Sequence, residues 1–153
     1  MKFWLALLAL GFLGACRPPL AAAAAQLSPS AAAAGAIVLQ ADDARRAAFA
    51  GADPKPLETY FGGRSLMNLR LQIGSLALRG LRRVEILEAR RLVHQGGLPG
   101  QPELVLEIRA REQTGEGWST VLRQWRARLG RQGDRWLVLD DCDLPPVAWW
   151  SKS

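Results

Sequence analysis

Histidine, cysteine and methionine are scarce in this chain of 153 residues, which holds one His, two Cys and two Met. So few imidazole and sulfur ligands exclude a zinc finger, a Cys–His metal site and a disulfide framework. Apolar runs long enough for a membrane are also lacking. The strongest, Phe3 to Leu13, has 11 residues, or about 16 Å of helix against a hydrocarbon core of ~30 Å. Lysine is rare: 17 of the 20 basic residues are Arg, set against 14 acids, for a net charge of +6. Hydrophobic residues make up 49% and charged residues 22%, a globular balance at the length of one domain. A basic chain points to an anionic partner, nucleic acid or a membrane surface. All the arginines but Arg17 run from Arg45 to Arg135, interleaved with acids and without a base-stacking motif. Nucleic acid is therefore not expected as a partner.

Met1-Lys2 followed by the Phe3–Leu13 run has the form of a secretory signal peptide. Leu13-Gly14-Ala15-Cys16 resembles the bacterial lipobox, with Leu three positions before Cys and small residues between. The resemblance implies a diacylglyceryl thioether on Cys16, cleavage before it and acylation of the new amine. It also implies secretion across the inner membrane and a lipid anchor in the cell envelope. Gram-negative families often use Asp after the Cys for inner-membrane retention. Arg17 stands there instead, which favours the outer membrane. Two or three acyl chains suffice for stable anchoring without a spanning helix. The membrane is then the first expected partner, with palmitate among the anchoring chains.

Four parts are expected: residues 1–15 as signal peptide, 16–40 as lipidated Cys and Ala/Pro-rich tether, 41–143 as the folded domain, and 144–153 as tail. With Cys16 lipidated, only Cys142 remains, read as a small buried hydrophobe. Ala41-Asp42-Asp43 opens a helix with its acids at the N-terminal end, where the macrodipole favours them. A short helical piece spans Pro56 to Phe61. Leu66, Leu69, Ile73, Leu76 and Ala77 then recur at helical spacing up to Gly80. Met67, Leu71 and Leu78 widen that apolar face, so burial on more than one side is expected.

From Leu81 the period changes to two. A long strand, bulged near Leu87, runs to about Val93, and Gly96 to Pro102 form a loop that leaves His94 in a loop-like context. Leu104, Leu106, Ile108 and Ala110 then alternate with charged neighbours, and Val121, Trp125, Ala127 and Leu129 do the same. A fourth strand follows from Arg135 to Asp141, and Pro145-Pro146 end it. Helices first and a four-stranded meander after them make an α+β domain.

Three stretches carry a resemblance to the nuclear transport factor 2-like (SnoaL-like) superfamily. They are Leu57-Glu58-Thr59-Tyr60-Phe61-Gly62-Gly63 with Leu76-Ala77-Leu78-Arg79-Gly80, the strand from Leu81, and the hairpin Trp125–Leu129 with Gly133–Val138. The resemblance implies N-terminal helices packed in the concave face of a curved antiparallel sheet, a cone or roll. Enzymes of the superfamily place acids, bases or Tyr inside that cone. No residue-by-residue match to a catalytic set can be made here, so no catalytic residue, cofactor or metal is expected.

Arg123 shares the strand face of Trp125, and Asp140 that of Trp136 and Val138. With Tyr60 they form the candidate small-ligand set Arg123, Asp140, Tyr60 and Trp125, for which an ion pair between Arg123 and Asp140 is the simpler alternative. Trp149 and Trp150, beyond the prolines, are candidates for an interaction with an envelope protein. The expected role is a membrane-anchored, non-catalytic binding module. Ligand binding in the cone is the alternative, with an isomerase- or dehydratase-type enzyme after it.

Overall fold

The structure is a computed structural model that describes residues 28–113 and 117–145. The lipobox with Cys16, and Trp149 and Trp150, lie outside the described residues.

Helix α1 spans Ala31–Gly51. Ser30 caps it, its Oγ accepting the N–H of Ala33 at 3.2 Å. The folded part thus begins before residue 41, and residues 31–40 are helix instead of tether. Alanine is the strongest helix former, and an Ala-rich stretch reads as low complexity only while its packing partner is unseen. Ala34, Val38, Ala41, Arg45 and Ala48 follow a spacing of four and three, and all are buried. The small side chains let the helix lie close to the sheet. Asp42 and Asp43 fall in mid-helix, away from the N-terminal end.

A short 3-10 helix, Lys55–Thr59, buries Leu57 and leads to Phe61. There the chain pairs with the last strand. Gly62 N donates to Val138 O at 2.9 Å and Val138 N to Tyr60 O at 2.8 Å. A Cβ on Gly62 would lie 2.6 Å from Gln132 Oε1 and 2.9 Å from Leu139 Cδ2, so a larger residue here would displace the ends of those two side chains. Helix α2, Gly63–Leu78, follows, and Gly80 ends it at φ 65°.

The sheet is an antiparallel meander in the order β1-β2-β3-β4: β1 Val84–Leu98, β2 Gln101–Gln113, β3 Trp118–Gln132 and β4 Arg135–Leu144. The fold is α+β, with two helices on a curved, unclosed sheet. β1 shifts register between Leu87 and Ala89, near the expected bulge, and again between Leu92 and His94. It runs past Val93, so His94 is an exposed strand residue. The loop expected over Gly96–Pro102 shrinks to Pro99-Gly100 between the strands. Gly97 sits at φ 101°, where a Cβ would lie 2.5 Å from Gln101 O.

The inward rows set the core. Leu104, Leu106, Ile108 and Ala110 of β2 face Trp125, Ala127 and Leu129 of β3, and all are buried. Val38, Phe49, Leu57, Phe61, Leu69, Ile73 and Val138 close over them. Each large side chain fully buried here contributes about 2 kcal/mol. Large side chains therefore fill the middle of the concave face, and an open cleft of about 490 Å³ lined by Phe49, Leu76, Arg83 and Glu112 remains beside it. Trp118, by contrast, is exposed on the outer sheet face beneath Arg111, whose guanidinium carbon lies 5.5 Å from the ring centre.

Candidate functional site

At one end of the concave face the inward positions turn from apolar to charged. Glu85 and Glu112 are direct cross-strand partners on β1 and β2, a like-charge pair that is unfavourable alone. Arg83 and Arg123 neutralise it. Arg83 Nε lies 2.8 Å from Glu112 Oε1, and Arg123 Nη1 lies 2.5 Å from Glu85 Oε1. Arg123 is buried beside Trp125 on β3. Its ion pair is close but off-axis, so its nitrogens make no well-aligned hydrogen bond among the described residues. Burial opposes the charge on Arg123, but Glu85, Asp143 and Asp42 outweigh it and raise its pKa. The group is a fixed cation at any working pH.

A second network ties α1 to β1. Asp42 is fully buried, at 0% exposure. Arg45 Nη2 lies 2.9 Å from its Oδ1; Arg90 Nη1 lies 3.0 Å and Arg46 Nη2 3.4 Å from its Oδ2. Arg90 also donates to Leu39 O at 3.0 Å and forks onto Asp43 at 2.8 and 3.0 Å. Burial raises the carboxyl pKa of Asp43, but the Arg90 hydrogen bonds and the charges of Arg90 and Arg46 win and hold it below the usual range. The same bonds raise Arg90 against its own desolvation.

A depressed carboxyl pKa stabilises the fold above its unfolded value and loses that stability as pH falls through the folded one. Asp43→Asn is therefore expected to cost about 0.5–1 kcal/mol at neutral pH, a small figure because the side chain is 55% exposed. The gap to the wild type should close as pH falls below about 4. Urea midpoints of both proteins at pH 7 and pH 3 read it directly.

Asp141 joins the third set. Its Oδ2 accepts the indole N–H of Trp125 at 2.9 Å, and its Oδ1 accepts the hydroxyl of Ser65 on α2. The guanidinium of Arg45 stands over the Trp125 ring, 5.0 Å from its centre. Arg45, Trp125 and Asp141 line a cleft of about 100 Å³ with Asn68, Gln72, Arg83, Cys142 and Asp143. Cys142 is half-buried at this polar wall, in contrast to the buried hydrophobe expected.

The structure separates the four residues expected to bind a ligand. Arg123 and Trp125 do share the inner face of β3. Asp140 does not face them, because the β3–β4 register shifts after Arg128: Leu129 pairs with Val138 and Arg128 with Asp140. The extra residue, Leu139, turns Asp140 to the outer face beside Arg128, 3.8 Å away, and brings Asp141 inside. The ion pair considered for Arg123 and Asp140 is replaced by Arg123 with Glu85. Tyr60 lies half-buried at the outer edge of β4, where its carbonyl pairs with Val138. The residues that do build the site include Asp42, Arg45, Glu85, Arg90 and Asp141. None of these was picked out in the sequence; Arg45 alone carries a local signal, a cation on the otherwise apolar stripe of α1.

Chemically the cleft offers donors from Arg45, Arg83, Asn68 and Gln72 around carboxylates already engaged as acceptors. Among the described residues no cluster of three or more His, Cys, Asp or Glu could hold a metal ion. Neither a protein-family model nor a curated protein matches the chain. Among solved structures it is similar to the intermembrane space region of the chloroplast protein ARC6, with a TM-score of 0.70 and 13% sequence identity over 78% of this chain and 99% of that one. At that identity the likeness establishes the shared fold.

Proposed function

We propose that the chain is a lipid-anchored protein of the bacterial envelope whose single domain is a non-catalytic binding module. The anchor rests on Leu13-Gly14-Ala15-Cys16 behind the Phe3–Leu13 run. The observation that carries the second half is the packed middle of the concave face. Where the nuclear transport factor 2-like architecture would offer a chamber, Trp125, Phe61, Leu106 and Ile108 pack together. The charged groups beyond them are held by one another. Side chains so engaged hold the domain together, which weighs against a ligand in the middle of the cone.

The anchor is tested by Cys16→Ser. The variant should lose incorporation of labelled palmitate and leave the membrane fraction. Equal labelling and equal membrane retention in variant and wild type would overturn the lipobox reading.

A further inference from the structure

Helix α2 carries two apolar stripes. Ser65, Leu69 and Ile73 are buried towards the sheet. Met67, Leu71 and Leu78, spaced by four and seven, lie on the opposite side. Their sequence pattern calls for burial on a second side, yet they are 56%, 67% and 91% exposed. Leu81, just past the helix, is exposed too.

The charge around this stripe has one sign. Between Glu58 and Glu85 the chain has no acid and five arginines, Arg64, Arg70, Arg79, Arg82 and Arg83. Arg70 is paired with Glu58 at 2.6 Å and Arg83 with Glu112. Arg79 bonds Ser75 O in its own helix. Arg64 and Arg82 are exposed, and among the described residues neither makes an ion pair.

We propose that the outer face of α2, with Leu81 and Arg82, is a docking surface for anionic phospholipid. Met and Leu side chains enter the headgroup–acyl boundary, and the Arg rim meets the phosphates. A second copy of the chain fits this face poorly, since it would bring two Arg rims together. The proposal rests on the anchored reading, which keeps the domain beside a bilayer. It adds an orientation: α2 lies flat on the lipid, and the outer sheet face points away.

The test uses the full lipidated protein in vesicles of phosphatidylcholine, alone or mixed with phosphatidylglycerol. An environment-sensitive fluorophore is placed at Leu78→Cys in a Cys142→Ser background, with Thr120→Cys on the outer sheet face as reference. Quenching by nitroxide-labelled acyl chains is read. Position 78 should be quenched in the anionic vesicles and much less in the neutral ones, and position 120 in neither. Arg64→Gln with Arg82→Gln should lower the ratio of docked to undocked protein roughly 25-fold.

Equal quenching at positions 78 and 120 in anionic vesicles would overturn the proposal. So would shielding of position 78 that rises with protein concentration and not with anionic lipid, the mark of a second copy. Anchoring is read separately. Failure to float with phosphatidylcholine vesicles would refute the lipid anchor, while quenching on anionic vesicles would still report docking.

Discussion

Asp42→Ala is expected to lower stability by about 3–5 kcal/mol, because removing one member of a buried charge network leaves its partners uncompensated. For a domain of this size that is a fall of roughly 10–20 °C in the thermal midpoint. Arg45 is the residue left exposed to the loss. It is 4% exposed, and Asp42 is its only ion-pair partner among the described residues. Arg90 retains its fork on Asp43 and suffers less. Asp42→Asn keeps the shape but not the charge, and should recover only part of the loss. Calorimetry of the two variants beside the wild type at pH 7 checks this. A midpoint for Asp42→Ala within a few degrees of wild type would mean that the network does not hold α1 on β1.

Trp125→Ala should be comparably severe, about 3–5 kcal/mol, the range for truncating a buried aromatic side chain. The ring is almost fully buried, its centre 6.3 Å from that of Phe61, with Arg45 on its face. Its N–H is also one of two donors to Asp141. Trp125→Phe separates the contributions. It keeps most of the apolar contact and leaves Asp141 to Ser65 alone, at a cost of about 1–3 kcal/mol. Denaturant midpoints give both values. Because Arg45 touches Asp42 and Trp125 alike, the double variant Asp42→Ala with Trp125→Ala should lose less than the sum of the singles. Strict additivity would show that the two sets are independent.

The parts of the fold legible in the sequence are those where one period governs one buried face. Leu104 to Ala110 and Trp125 to Leu129 alternate cleanly, and the core rows follow. The end of α2 at Gly80 was legible for a local reason, a positive φ. The start of α1 was hidden because alanine's packing value depends on how closely a sheet approaches it. The inward acid of β4 was hidden because a single-residue bulge reverses facing, and Asp140 and Asp141 are adjacent carboxylates with nothing local to distinguish them. The like-charge pair Glu85 and Glu112 was beyond reach, since strand register is settled over the whole sheet. The outer stripe of α2 was seen correctly as apolar and wrongly as covered.

The pairing of Phe61 with Val138 has a consequence for how this molecule meets copies of itself. It occupies part of the outer rim of β4 with the protein's own backbone. The 15-residue strand β1 closes the other end of the meander, and among the described residues no strand lies beyond it. A four-stranded ribbon partly covered at one rim extends more readily from the other. Strand addition between copies is then favoured at β1, and β1 joined to β1 is a self-complementary contact that closes after two molecules. Head-to-tail growth into a fibril, which uses both rims of each molecule, is disfavoured to the extent that Phe61 covers β4.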